Sequence, residues 1–176
     1  MGLSLGACDR AAPTASQPQE KSAANKPGVQ RGLDRSHAGT PLPDATIALP
    51  DGTRRALADF AGEPVLLNLW ATWCAPCVVE MPLLDDLANE TDGLKVLTVS
   101  QDLQGADAVE PFFAENDFAA LEPWLDPDNA LGFAYGQGVA LPLTVLYDAQ
   151  GREVWRYYGE NDWSGEAARA LVSEAS

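Results

Sequence analysis

From Val65 to Trp70 the chain reads as an almost unbroken apolar run of strand length, with Asn68 its one polar residue. A strand of that kind is covered on both faces. Directly after it the period changes. Cys77, Met81, Leu84 and Leu87 or Ala88 recur at helical spacing, while Asp85, Asp86, Asn89 and Glu90 are expected to face water, so Cys74–Glu90 is predicted as an amphipathic helix. Leu94–Ser100 is the next strand and Ala106–Asp117 the next helix. Strand, helix and strand in this order imply a parallel pair joined by a crossover, hence an α/β sheet. Before this unit, Ala45–Leu49 and Thr53–Ala56 flank Asp51 and Gly52 as a hairpin, and after it Pro142–Tyr147 and Arg152–Tyr158 flank a turn at Asp148–Gly151 as a second one. Ser164–Ser173 closes the chain as a helix.

Composition divides the 176 residues near position 40. From Asp9 to Thr40 there is no Phe, Trp or Tyr, and Ala, Ser, Gln, Pro and Gly dominate, so residues 9–40 are expected to form a flexible tether. Residues 1–40 carry five basic and three acidic side chains, whereas residues 41–176 carry six and 23, within an overall net charge of −15. That balance argues against nucleic acid and against an anionic membrane surface as partners, since phosphate recognition needs a cationic face. No apolar run is long enough to span a bilayer. With three cysteines and one histidine, four-ligand zinc sites and histidine-based catalysis have almost no residues to draw on.

Two of those cysteines, Cys74 and Cys77, stand two residues apart where the buried strand gives way to the helix. There the helix dipole and its free N–H groups stabilise a thiolate, which is the attacking form. Cys74, at the open end, is the natural nucleophile. Cys77, one turn in, is the resolving thiol that attacks a mixed disulfide and releases the substrate. A zinc half-site would need two more ligands, and Cys8 and His37 both fall in the tether. A purely structural disulfide would close a loop too short to constrain the unfolded chain much. Redox chemistry is the reading that uses the placement.

The run Leu67–Cys77, followed by Glu80 and Pro82, resembles the TlpA/ResA branch of the thioredoxin superfamily, the membrane-anchored extracytoplasmic thiol-disulfide oxidoreductases, and the resemblance extends through Gly138–Asp148 to Gly159 and Asp162–Trp163. It implies a thioredoxin-like α/β fold over residues 41–176, with an added N-terminal β-hairpin and a helical insertion at roughly 105–136. Pro142 matches the family's cis-proline, so Leu141 would offer backbone hydrogen bonds to an extended substrate. On position alone Pro142 reads as a trans proline opening a strand, a common place for proline. Asn68 occupies the place where cytosolic thioredoxins carry a buried proton-handling aspartate, and an amide cannot do that work. Glu80 is the candidate instead: by spacing it is either a solvated helix residue or a partly buried acid near Cys77, and the resemblance favours the second. Trp73, Ala75 and Pro76 would line the substrate groove, Trp70 the core, and Trp124, Trp155 and Trp163 the core or its shell.

Leu5–Cys8 resembles the end of a bacterial lipoprotein signal, with Cys8 as the lipidated residue and residues 1–8 as the remnant; the plain alternative is an unpaired cysteine in a tail. Together these features predict a lipoprotein of the periplasm, held at the inner membrane only through Cys8. It would act mainly as a disulfide reductase, with no cofactor or metal beyond the Cys74–Cys77 pair. The resemblance implies apocytochrome c or a copper-site assembly factor of cytochrome oxidase as substrate, and a membrane electron donor of the DsbD/CcdA type. Two rivals stand beside this. A thiol peroxidase of the redoxin group uses a Thr three residues before its nucleophile, where this chain has Ala71. A thioredoxin-like copper chaperone would need a CxxxC and a distant histidine.

Overall fold

The computed structural model describes residues 1–2, 31–136 and 140–175. In chain order the strands and helices are β1 (Gly32–Asp34), β2 (Thr46–Ala48), β3 (Arg54–Ala56), β4 (Val65–Trp70), α1 (Ala75–Glu90), β5 (Lys95–Ser100), α2 (Ala106–Glu115), β6 (Trp124–Leu125), α3 (Ala130–Ala134), β7 (Leu143–Tyr147), β8 (Glu153–Tyr158) and α4 (Glu166–Val172). Short 3₁₀ turns follow β3 at Leu57–Phe60 and α4 at Ser173–Ala175. One eight-stranded sheet runs β1-β8-β7-β4-β5-β6-β2-β3, with β4, β5 and β6 parallel and the outer pairs antiparallel. This is the thioredoxin-like α/β arrangement, with the β2–β3 hairpin added at one edge and α2, β6 and α3 forming the insertion.

Every residue of β4 is buried because the sheet separates two cores. Leu66 and Trp70 point to one side, packing with Cys77, Met81, Leu84 and Leu87 of α1, Val109 of α2, and Ala168 and Val172 of α4. Val65, Leu67 and Leu69 point to the other, against Ile47, Phe60, Trp124, Leu131 and Val145. The alternation is the period-2 geometry of a strand, and each such side chain contributes about 2 kcal/mol by leaving water. All three shell tryptophans are buried, with Trp155 and Trp163 stacked 6.3 Å apart.

Three expectations need correction. First, the tether does not extend to residue 40. Gly32–Asp34 pairs antiparallel with Tyr158–Arg156, Thr40 and Gly39 exchange hydrogen bonds with Glu153, and Arg35 makes a bidentate ion pair with Glu174 at 2.6 and 2.9 Å. Backbone pairing along a sheet edge needs no apolar side chains, so composition carries no sign of it. Residues 9–30 of the tether, and Cys8, lie outside the described residues. Second, Asp85 does not face water. It is buried and accepts the N–H groups of Ala119, Ala120 and Leu121 at 3.0, 2.8 and 3.0 Å. Third, the 105–136 stretch holds β6 and α3 besides the predicted α2. Asp126 caps α3 by accepting from Ala130 and Leu131 after Asn129 turns the chain at φ 51°.

Candidate active site

At the C-terminal end of β4 the chain leaves the sheet in a turn, Ala71–Cys74, and enters α1. Cys74 is the N-cap, with extended backbone (φ −90°, ψ 94°), and Pro76 sits in the first turn, where its missing N–H costs nothing. Cys74 and Cys77 form a disulfide, with Cα atoms 5.2 Å apart. Cys74 is 6% exposed and Cys77 1%, so Cys74 is the more accessible residue of the pair. Trp73 beside it is 70% exposed and Ala75 is exposed, while Trp70 is wholly buried.

The second wall comes from β7. Leu143 pairs with Leu69, so the residues before Leu143 lie beside the exit of β4, at the same end of the sheet as the disulfide. The Leu141–Pro142 peptide bond is cis. Pro142 is buried and gives its carbonyl to the N–H of Gly159 at 2.9 Å, while Leu141 is half-buried and packs against both cores. Asn68 is spent on structure: its amide donates to the Thr144 hydroxyl at 3.0 Å.

Glu80, the next buried residue of α1 after Cys77, is 1% exposed. Its Oε1 accepts the N–H of Asn161 at 2.6 Å and Nε1–H of Trp163 at 3.0 Å, while Oε2 has no partner. Burial pushes the carboxyl up to about 7, against the two hydrogen bonds, which pull it down, and with the Glu160 charge adding to the rise. A carboxyl balanced near neutrality can hold or release a proton at working pH. The loop that supplies Asn161 also borders a surface cavity of about 610 Å³, between Val79 and Leu83 of α1, Gly32 of β1, and Glu160 and Asp162.

Sequence reasoning missed Asp102. Its Oδ2 and Oδ1 accept the N–H and O–H of Thr72 at 2.9 and 2.7 Å, tying the turn before Cys74 to the end of β5. Nothing in local spacing signals a contact across 30 residues. Among the described residues no group of three or more His, Cys, Asp or Glu is placed to hold a metal ion.

The redoxin family model matches residues 37–171. The chain belongs to the redoxin family. Within the family it stands with the ResA- and DsbE-like thiol-disulfide oxidoreductases of the thioredoxin superfamily. It is 34% identical over 144 residues to the thiol:disulfide interchange protein DsbE of Pseudomonas fluorescens biotype C, covering 78% of this chain and 79% of that one. It is 32% identical over 116 residues to the thiol-disulfide oxidoreductase ResA of Geobacillus thermodenitrificans, where it spans 65% of either chain. Among solved structures, the exposed lipoprotein thioredoxin of Streptococcus pneumoniae superposes with a TM-score of 0.64 at 27% identity, covering 74% of this chain and 98% of that one. In this redoxin the position three residues before Cys74 is the buried Ala71, and the neighbouring Thr72 hydroxyl is bonded to Asp102.

Proposed function

We propose that this redoxin acts outside the cytoplasm, mainly as a reductase of protein disulfides. The reading is carried by one observation: a disulfide closed across the first turn of α1, its more accessible cysteine at the N-cap, with the half-bonded carboxyl of Glu80 one turn further along the helix. In the reduced protein the Cys74 thiolate attacks one sulfur of the substrate disulfide. A new S–S bond forms as the old one breaks, and the departing substrate sulfur leaves with the electron pair and takes a proton. Cys77 then loses its proton, attacks Sγ of Cys74 and expels the second substrate thiol, so two electrons and two protons pass to the substrate. Glu80 exchanges a proton with the Cys77 side of the pair in this second step. A membrane donor of the DsbD/CcdA type returns the electrons.

Trp73 gives the substrate a rigid aromatic contact beside Cys74, with Ala75 and Pro76 next to it, and Leu141 and Pro142 line the opposite side, where the backbone of Leu141 pairs with an extended peptide. The resemblance to the TlpA/ResA branch supports haem-attachment thiols of apocytochrome c or a copper-site assembly factor as the substrate, and the relatives' names support thiol-disulfide exchange. The charge pattern supports a basic partner. Of the six basic side chains after residue 40, Arg54, Arg55, Lys95, Arg156 and Arg169 are each paired with a carboxylate, while Glu160 and Asp162 sit in the loop beside Glu80. Lipidation of Cys8 would hold the domain at the periplasmic face of the inner membrane; the naming of a solved relative as an exposed lipoprotein thioredoxin is in keeping with that. Mass spectrometry of the protein from its native host should find diacylglycerol on Cys8, and an unmodified N-terminus there refutes the anchor.

The deciding experiment traps the intermediate. With Cys77→Ser the mixed disulfide persists, and apocytochrome c or a copper-site factor should be recovered on Cys74. A broad spread of unrelated proteins would sink the dedicated-substrate reading, and peroxide consumption matching disulfide reduction would favour the peroxidase.

A further inference from the structure

The reactive sulfur of Cys74 hangs from a turn that belongs to neither β4 nor α1, and the turn's own bonds are few. Within it the N–H of Cys74 donates to the carbonyl of Ala71 at 3.1 Å, and before it the carbonyl of Trp70 accepts from the N–H of Gln101 at 2.8 Å. Past it the carbonyl of Cys74 accepts the N–H of Val78 at 3.1 Å, the first bond of α1, and the turn's remaining hydrogen bonds come from one side chain. Asp102 takes both donors of Thr72, one on each carboxylate oxygen, and two bonds from one residue to the two oxygens of a carboxylate fix orientation as well as position. Asp102 is itself locked to the sheet. The Ser100 hydroxyl donates to its Oδ2 at 2.8 Å, the Asp102 N–H donates back to that hydroxyl at 2.9 Å, and the 2% exposed Ser100 stands opposite Trp70 in the β4–β5 register. An unbroken chain of hydrogen bonds therefore runs from the paired end of the sheet, through a carboxylate, to the residue two places before the nucleophile.

We propose that Asp102 is a positioning residue for thiol-disulfide exchange, acting through Thr72 to hold Cys74 where its sulfur meets a substrate disulfide in line. The proposal rests on the reading of Cys74 as the attacking thiol. Displacement at sulfur needs the incoming and departing sulfurs on opposite sides of the attacked one, so holding the turn still removes orientational freedom that would otherwise be lost in the transition state. Asp102 acts on the step by position alone: both of its oxygens are occupied, by three donors in all. Its benefit is geometric, and that gives it a signature. Loss of the lock lowers the rate at which fully ionised Cys74 attacks, without raising the pH at which it ionises.

The test measures attack of reduced protein on dithiodipyridine across pH, in a Cys77→Ser parent so that only one thiol of the pair reports. Asp102→Ala and Thr72→Val should each lower the high-pH plateau rate by on the order of tenfold or more. The double variant should fall no further, and Thr72→Ser, which keeps the hydroxyl, should stay within about twofold of the parent. Asp85→Ala is the control for general loosening: it too removes a carboxylate that holds three donors, here the backbone N–H groups of the 119–121 loop, far along α1 from the turn that carries Cys74. Plateau rates unchanged in Asp102→Ala, losses that multiply in the double variant, or an equal loss in Asp85→Ala would each overturn the proposal. Should Asp102→Ala fail to fold, Thr72→Val, which leaves the carboxylate in place, carries the same comparison. A Cys77→Ser parent that does not react while Cys74→Ser does would instead overturn the assignment of the nucleophile.

Discussion

Replacing Glu80 with Gln should make the oxidised protein more stable at pH 8 and leave it unchanged near pH 4. In the fold the carboxyl is held at about 7, against an ordinary 4.5, so over two pH units separate the folded and unfolded chains. At ~1.4 kcal/mol per unit, burying the ionised form costs about 3 kcal/mol. The sign follows from proton counting. Between pH 4.5 and 7 the folded chain binds more protons at this site than the unfolded one, so stability falls as pH rises through that window, and levels off above it. Below 4.5 both forms are protonated and the site contributes its full share. Gln is neutral throughout, keeps an oxygen for Asn161 and Trp163, and inherits the same unpartnered position at the second atom. The difference between the two proteins isolates Glu80, because every other carboxyl titrates in both. Urea unfolding of the oxidised proteins from pH 4 to 8 should show the curves meeting at acid pH and separating to about 3 kcal/mol. In melting temperature that is roughly 6–12 °C, at ~2–4 °C per kcal/mol for a domain of this size. Parallel curves would refute the titration, and thiol pKa values of Cys74 and Cys77 that do not move in Glu80→Gln would refute its role as proton carrier.

Trp163→Phe removes the Nε1–H donor from Glu80, so the break in the pH–stability curve should move to higher pH; a shift to lower pH contradicts the account of which bonds hold the carboxyl down. Glu153→Gln leaves the buried Arg156, bonded to it at 2.6 and 2.7 Å, without its counter-charge. The expected loss is about 3–5 kcal/mol by urea unfolding, and a loss under 1 kcal/mol would mean the guanidinium finds water. Trp73→Ala should change stability by no more than ~0.5 kcal/mol, since the ring is mostly exposed. It should raise KM for a protein disulfide several-fold while leaving attack on dithiodipyridine unaltered, and equal effects on both would place Trp73 in the chemistry rather than in docking.

What could be read from the chain was what local periodicity encodes. The β4 run, the apolar stripe of α1 and the Cys74–Cys77 pair all lie within 26 consecutive residues, and the structure returns them nearly residue for residue. Pro142 and Glu80 became candidates through family resemblance, because their surroundings are assembled from afar: Glu80 meets Asn161 and Trp163 across more than 80 residues. Strand β1 escaped notice because it is held by backbone pairing to β8, and β6 because two residues show no period. Asp85 was assigned to the wet face of α1 on a sound local argument. A loop 34 residues away brings three N–H groups down onto it, and that competing contact wins.

The carboxylates themselves then separate structure from chemistry. Asp85, Asp102 and Asp126 are each bound by at least three donors spread over both oxygens, and Glu153 is bound on both by Arg156. Such a group has both oxygens committed to fixed donors, so it serves as a cap, a clamp or a counter-charge. Glu80 is built the other way. Both of its donors converge on Oε1, and Oε2 is the one carboxylate oxygen among the described residues that is buried with no partner. Hydrogen bonding to one oxygen keeps the side chain in place, while the empty one leaves the anion under-stabilised and free to accept a proton. Position on α1 does not decide between these fates, since Glu80 and Asp85 are five residues apart on the same helix. The loops after α2 and β8 decide it, by delivering three donors to one acid and two, aimed at a single oxygen, to the other.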